Sequence, residues 1–501
     1  MLCSGISINY SEQMRAARWM FIRMVSETPH TVSFKAMSDT EARDRGQDSG
    51  ASADRAMKGA GRRPRYVLLG ALWLGLYALA VALPLIVLLI GPVPEGREFL
   101  RELSVGFGFA GASIMCVQFA LSARFRRVQA PYGIDLVYHF HREITYVALA
   151  LVVLHPVLLI ILDASNAALF NVVSAPWRAR FALIATLALV AIVVSSVWRK
   201  TFRLPYEGWR RLHAILAVIV VATATVHIEL VGHYVNSPAK RVVWVIYPAF
   251  WVGLLVWTQV AKPILIRRRP YLIEAVTQVA EETWTVRLRP SGHQGLRFRP
   301  GQFAWLSLDR QPFGHREHPF SFSSSPAELP QVSFTIRERG DFTSGIGALQ
   351  PGTKIYLDGP FGHFSYQRHP APGYVFIAGG IGITPIMSML RELAAAGDTR
   401  PLHLIYVARD LDRVVFREEL DGLTRELDLR IHYVLRRPPA GWEEERGRLD
   451  PAMLGRLLPS DRSGYHFYVC GPDEMMDMVE NELMRGGIGF GRVHSERFDL
   501  V

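Results

Sequence analysis

Four histidines, His141, His155, His213 and His227, fall in or at the edge of two apolar segments, as two pairs each 14 residues apart. On an α-helix 14 steps of ~100° end within about 40° of the starting face, so both members of a pair point the same way. Their separation along the axis is ~21 Å, most of the thickness of a hydrocarbon core. If the two helices run in the same direction, His141 is level with His213 and His155 with His227. Two facing imidazole pairs stacked in this way suit two bis-histidine haems, since His is a common axial ligand and bundle cores hold such groups. The other use of intramembrane histidines is a proton relay. His139 and His233 lie roughly 160° off the shared faces and are set aside. Arg142 is either a partner for a haem propionate or a charge that anchors its helix.

Helices that could carry these pairs are legible in the charge pattern. The chain has 501 residues, half of them hydrophobic and only 20% charged, where soluble domains carry about 25%. Residues 66–90, 103–123, 144–162, 181–198, 212–228 and 242–261 contain no Asp, Glu, Lys or Arg. A spanning helix needs ~20 apolar residues, so six spans are expected in a membrane domain over 66–266. The histidine pairs then sit on the third and fifth spans, which run in the same direction. Lys and Arg on the N-terminal side of the spans are Arg62, Arg63, Arg65, Arg124, Arg126, Arg127, Arg142, Arg199, Lys200, Arg203, Arg210, Arg211, Lys262, Arg267, Arg268 and Arg269. The opposite side has Arg97, Arg101, Arg178, Arg180, Lys240 and Arg241. Cytoplasmic loops are the Lys/Arg-rich ones, so an integral protein with both termini cytoplasmic, in the plasma or inner membrane, is expected. The net charge of +11 is accounted for by these loops, without nucleic acid.

Residues 1–65 have mixed charge and no apolar period over 43–64, and are expected to be a disordered tail without a signal peptide. A surface helix around 14–25 is the one element they offer. The three cysteines, Cys3, Cys116 and Cys470, form no CxxC pair and no zinc pattern.

After Arg269 the texture changes. Residues 270–368 alternate apolar and polar over short runs such as 283–288, 303–308 and 331–336, punctuated by Gly and Pro, which predicts an all-β barrel. From 369 to 501, strands at 374–378, 403–407, 430–435 and 465–470 alternate with helices at 386–396, 416–428 and 475–485, which predicts an α/β domain with a parallel sheet. Gly379, Gly380 and Gly382 form a glycine loop between a strand and a helix, with Thr384 and Pro385 opening the helix. Such a loop lets backbone approach a diphosphate at a helix N-terminus. Pro385 stands where an ordinary Rossmann loop has its last Gly.

The two histidine segments, "HREITYVALALVVLH" and "WRRLHAILAVIVVATATVH", resemble the haem helices of the ferric reductase and NADPH oxidase superfamily. That resemblance makes His141, His155, His213 and His227 the axial ligands of two b-type haems. "RFRPGQFAWLSL" followed by "HPFSFSSSP" resembles the flavin motif of ferredoxin–NADP reductase-like domains. It implies FAD held by His318, Pro319, Phe320, Ser321 and Ser324, with Phe320 facing the isoalloxazine and the Ser321 hydroxyl near its N5. "IRERGDFTSGI" resembles the second phosphate segment and implies Gly340 and Thr343. Arg337 is either a diphosphate partner or a strand-surface charge. "DGPFGHF" resembles the turn that closes the barrel. "YVCGPDEMM" resembles the Cys-Gly-Pro signature, implying that Cys470, Gly471 and Pro472 line the nicotinamide site, although Cys470 reads equally well as a small core residue. "HSERFDLV" resembles the closing segment whose aromatic, here Phe498, stacks on the flavin. It differs in having three residues after that aromatic.

The resemblance covers residues 66–501 and implies an oxidoreductase that passes electrons from cytoplasmic NADPH or NADH through FAD and two haems to a small-molecule acceptor across the lipid bilayer. Ferric chelate is the expected acceptor. Oxygen is the alternative, and a cytochrome b-type sensor or partner subunit is a different class. In "VARDLDR", Arg409 would pair with a 2′-phosphate and Asp410 with a ribose hydroxyl, and NADPH is slightly preferred. His233, Arg178 and Lys240 are either cations that attract an anionic acceptor or, as the favoured reading, ordinary topology-setting charges. Oligomeric state is not legible.

Overall fold

The computed structural model describes residues 63–123, 134–308, 317–340 and 342–497. The expected tail and its surface helix fall almost wholly outside them, as do Cys3 and Phe498. Among the described residues, six helices are long and apolar enough to cross a membrane, at the six predicted places. They are α1 (Arg63–Leu88), α2 (Phe99–Ser122), α3 (Ile134–Leu162), α4 (Trp177–Val197), α5 (Tyr206–Val231) and α6 (Pro238–Val256). A π-helical turn, Trp257–Ala261, continues α6 into α7 (Lys262–Arg267). Apolar runs without charge become helices here because hydrocarbon offers no partner to an unpaired backbone group. Leu72, Leu76, Leu83, Ile161, Leu187 and Phe250 are more than half exposed. An apolar surface of that kind on six spanning-length helices suits a lipid environment, and the chain is an integral membrane protein.

Helix ends follow local chemistry. α5 stops at Gly232, whose φ of 68° is left-handed and whose N–H donates to the Ile228 carbonyl. α6 starts at Ser237, which accepts from the Lys240 N–H, with Pro238 in the first turn. The helices pair along their lengths as α2 with α3 and α4 with α5. Gly111 permits the first of these: a Cβ there would lie 2.7 Å from Val152 Cγ2. Lys240, one of the cations weighed for attracting an anionic acceptor, is 2% exposed. Its Nζ donates to the carbonyls of Leu88 and Pro92, 2.7 Å each. The ammonium caps the C-terminal end of α1, where carbonyls lack helical partners, and it is unavailable to a ligand.

The second body is a barrel of six antiparallel strands in the order β4 (Glu317–Ser321), β3 (Phe303–Ser307), β6 (Lys354–Phe361), β1 (Tyr271–Ala280), β2 (Thr283–Pro290), β5 (Val332–Arg337). A bridge from Phe322 to Phe334 joins its two ends. Phe298 stacks on Phe322 at 4.1 Å in its core. The third body is a parallel sheet in the order β10 (Glu445–Arg446), β9 (Leu429–Leu435), β8 (Leu402–Ala408), β7 (Tyr374–Gly379), β11 (His466–Cys470), β12 (Val493–Ser495). Its helices are α8 (Ile383–Ala395), α9 (Arg417–Leu423), α10 (Pro451–Leu457) and α11 (Asp473–Arg485). The strand order reverses between β7 and β11, the switch point where an open α/β sheet binds its ligand. The helix expected over 416–428 is shorter: Phe416 precedes it in a left-handed conformation, φ 63°, and a run of turns with mixed i→i+3 and i→i+4 bonds follows Leu423.

Barrel and bundle meet at a joint of charged and aromatic contacts. Lys262 Nζ on α7 is 2.6 Å from Asp358 Oδ2 on β6 and lies over the Phe361 ring. Arg210 on α5 approaches Glu317 on β4 at 3.9 Å. Tyr138 of α3 packs against Phe303, Trp305 and Phe361. Barrel and sheet are joined through α8: Ser388 Oγ donates to the Ser324 carbonyl and Arg391 Nη1 to the Ser323 carbonyl, both at 2.6 Å.

Replacing Lys240 by Met keeps the volume of the stem but takes the ammonium partner from the buried Leu88 carbonyl and the part-buried Pro92 carbonyl. We expect Lys240→Met to lower stability by about 1–3 kcal/mol, read as a lower Tm in detergent.

Candidate functional site

Within the membrane the four histidines meet in the expected pairs. Ring centroids are 6.3 Å apart for His141 and His213 and 6.4 Å for His155 and His227. A metal–imidazole bond is ~2 Å, and a ring centroid lies about 1 Å inside its nitrogens. Two imidazoles on opposite sides of one metal therefore place their centroids roughly 6 Å apart, as observed here.

Each ring is oriented by its Nδ1. His141 Nδ1 donates to Gln118 Oε1 at 2.7 Å, and His155 Nδ1 to the Ser104 carbonyl at 2.9 Å. His213 Nδ1 donates to Ser196 Oγ at 3.3 Å, whose own proton goes to the Ile192 carbonyl. His227 Nδ1 donates to the Arg178 carbonyl at 2.7 Å. So α2 anchors both histidines of α3, and α4 anchors both histidines of α5. With Nδ1–H committed, Nε2 carries the lone pair, which is how metal-ligating histidines are usually held. Gly108 adds room: a Cβ there would lie 3.3 Å from the His155 ring. Beside the His141 pair, Gln118 Nε2 and Trp209 Nε1 are buried donors with no hydrogen-bond partner, which suits a group bearing acceptors. The residues present fit two bis-imidazole haems. His139 is engaged by Arg142, and Arg142 by Glu143 at 2.8 Å, on their own helix surface. His233 joins neither pair.

At the joint, Tyr138 precedes His141 by three residues, Arg210 precedes His213 by three, and Glu317 adjoins His318. The barrel's flavin-motif strand is thus placed at the His141/His213 end of the bundle. His318 and Phe320 lie on one face of β4, two residues apart. Phe342 covers both, with centroids 4.3 Å and 5.9 Å away. This aromatic row suits a flat ring system. Phe342 was not singled out by the sequence, where it is one aromatic in a turn. Burial lowers the His318 pKa, against Glu207 and Glu317, which act to raise it. Ser321 is 7% exposed, at the end of β4 beside Pro319 and Phe320. Ser324 is fully buried, its hydroxyl accepting from the Ser333 N–H. Thr343 Oγ1 accepts from the N–H groups of Arg339 and Gly340 and so shapes their turn.

The cleft between barrel and sheet is lined by Glu281, Thr283, Arg337, Gly380, Ile381, Arg409 and Arg413, among others. Gly380 has φ 54° and open space where a Cβ would stand. The flanking glycines are needed for packing: a Cβ on Gly379 would lie 2.6 Å from Pro472, and one on Gly382 would lie 2.3 Å from the Cys470 carbonyl. Gly471 in turn faces Gly379. The glycine loop and the Cys470–Pro472 turn are therefore one interlocked unit at the switch point. Thr384 Oγ1 donates to the Ile381 carbonyl and closes the loop. Arg337 faces this cleft and pairs with Glu282 at 3.7 Å. Arg413, missed by the sequence, is held by Glu281 at 2.7 Å, whereas Arg409 is half-exposed and only 3.9 Å from Asp410. Cys470 is buried, and burial, then Glu496, pushes its thiol well above the usual range. An environment that raises a thiol in this way disfavours the thiolate that a nucleophile needs.

Gly382→Ala drives a methyl into the Cys470 carbonyl and displaces the loop. A shift of about 1 Å at such a site costs roughly 100-fold. We expect that loss in the rate of flavin reduction by NAD(P)H, measured by stopped flow, with FAD content retained.

Similarity to known proteins agrees with these three bodies. The family model for the ferric reductase like transmembrane component matches residues 107–224, and that for the oxidoreductase NAD-binding domain matches residues 376–481. Ferredoxin–NADP reductase B of Sorangium cellulosum is 33% identical over 212 residues, 40% of this chain and 86% of that protein. The glycine betaine monooxygenase reductase subunit of Chromohalobacter salexigens is 30% identical over 231 residues, 44% of this chain and 62% of that one. The cytochrome b5 reductase domain of Ulva prolifera nitrate reductase superposes with a TM-score of 0.41 at 19% identity, over 46% of this chain and 97% of that domain. With membrane bundle, barrel and nucleotide sheet in one polypeptide, the chain belongs to the ferric reductase superfamily, as a ferric reductase-like transmembrane domain fused to an NAD(P)H-dependent, FAD-binding oxidoreductase of the ferredoxin–NADP reductase type.

Proposed function

We propose that the protein carries electrons from cytoplasmic NAD(P)H through FAD and two b-type haems to a ferric chelate on the opposite face of the plasma or inner membrane. The carrying observation is the pair of imidazole couples, each at 6.3–6.4 Å with every Nδ1 bonded to a neighbouring helix. When bound, FAD supplies the change from hydride to single electrons and haem the one-electron relay.

The chain's own residues then bind and align. Gly380 and the helix behind it would receive the dinucleotide's phosphates. His318, Phe320 and Phe342 would flank the isoalloxazine, with Ser321 at the end of the same strand. Phe498 would cover the ring's far face. Gly340, Thr343 and the Ser324 region would shape the flavin phosphate site. The buried Cys470 thiol, with Glu496 beside it, would pack near the nicotinamide. The joint through Lys262–Asp358 and Tyr138 would fix the flavin strand against the His141/His213 end, so that the first electron transfer is internal. Arg178, whose carbonyl anchors His227, would add positive charge near that pair and favour an anionic chelate.

Purified protein should hold two haems per chain with a low-spin spectrum. His155→Ala or His227→Ala should reduce this to one. In inverted vesicles either variant should leave flavin reduction by external NAD(P)H intact and abolish reduction of a trapped, impermeant ferric chelate. Wild-type chelate reduction in those variants would remove the second pair from the path. Superoxide on the far side without chelate reduction would make oxygen the acceptor.

Arg409 is the loosely held cation of the cleft, free to turn toward a 2′-phosphate. Losing one charge-assisted contact costs about 1.5–3 kcal/mol. Arg409→Ala should therefore raise KM for NADPH about tenfold or more while KM for NADH stays near its original value.

A further inference from the structure

A third group of histidines lies far from both imidazole pairs, in the nucleotide domain. His369 follows the 3₁₀ turn Tyr366–Arg368 in the link from barrel to sheet, His466 opens β11, and His494 is central in β12. Their side chains converge: one ring nitrogen from each lies within 4.8 Å of the others. His466 Nδ1 and His494 Nε2 are 2.8 Å apart. The His369 ring stacks on that of His494 at 4.0 Å, and the His466 ring is 5.1 Å from His494.

The fold forces this convergence. β11 and β12 run parallel with Tyr468 opposite His494. His466 is two residues before Tyr468 and so shares its face. The Tyr468 ring stacks under His494 at 4.8 Å and steadies that side. The link closes over the same spot, where the His466 N–H donates to the Gly373 carbonyl. All three rings are partly buried and come from three separate segments, at the end of the sheet opposite the glycine loop, since they stand at or before the start of β7 and β11.

We propose that His369, His466 and His494 form a binding site for a divalent transition cation of the zinc type. Imidazole selects borderline cations over Mg2+ or Ca2+. Ligands at ~2 Å from a tetrahedral ion stand roughly 3.4 Å from one another. In the structure the rings are near-parallel, His369 at 20° and His466 at 11° to His494, so metal uptake would turn the rings about their side-chain torsions until the three lone pairs meet at one point. Three protein nitrogens leave the fourth position to water. The cation would clasp the barrel-to-sheet link onto the edge strand β12, the last strand of the sheet. That is a role separate from the electron path.

The test uses the full-length holoprotein in detergent, stripped with a chelator and titrated with Zn2+ by calorimetry and by metal analysis after dialysis. The wild type should take up one Zn2+ that Mg2+ does not displace, and its Tm should rise on binding. His466→Ala and the milder His369→Gln should each weaken that uptake at least tenfold and lose the Tm rise. FAD content, haem content and NAD(P)H-driven flavin reduction should stay at wild-type levels, which shows that both variants fold. No saturable Zn2+ uptake in the wild type, or unchanged uptake in both variants, would overturn the proposal and leave the three rings as a packing stack.

Discussion

The hydrogen bond that each intramembrane imidazole donates through Nδ1 is the constraint on which the bundle depends. A histidine on a helix surface can rotate through several rotamers, and only one of them faces a partner ring. Gln118, Ser104, Ser196 and the Arg178 carbonyl select that rotamer. The anchors sit on α2 and α4, so those helices must lie against α3 and α5. These are the two pairs that pack along their lengths. Small residues follow from the same need: Gly108 and Gly111 bring α2 close enough for Ser104 to reach His155.

The soluble half hangs on this arrangement through few contacts. Lys262–Asp358, Arg210–Glu317 and the Tyr138 cluster tie β3, β4 and β6 to the helix ends that carry His141 and His213. α8 then ties barrel to sheet through the carbonyls of Ser323 and Ser324. A serine run that looks built for phosphate is in large part a structural joint. The interlock of Gly379, Gly382 and Gly471 has the same character, since removing side chains lets two loops occupy one place.

Much of this was legible in the residues. Charge-free runs located six helices because hydrocarbon excludes charge over a fixed length, and the 14-residue spacings placed the histidines because helical periodicity is rigid. Strands with clear alternation, such as β2 and β5, were likewise visible. The anchors were less so: Gln118 and Ser196 are polar residues within apolar runs, a signal that points to a partner without saying which. The role of Lys240 was hidden because sequence gives its charge and not its position over the end of α1. Phe342, Arg413 and Glu496 depend on loops brought together by the barrel and the sheet, and no local pattern encodes such meetings. β12 is three residues long and carried no usable period.

The commitment of all four Nδ1 protons has an electrical consequence. An imidazole whose Nδ1–H is bonded to a fixed acceptor and whose Nε2 holds metal has no proton to pass on. An electron moving between the two pairs, ~21 Å apart along the axis, would then travel without a compensating proton. Each turnover would move net charge through the bilayer, at about 2.3 kcal/mol per elementary charge for every 100 mV. The protein would work as a current source whose rate responds to membrane voltage, and sustained activity would require a separate route for cations to follow.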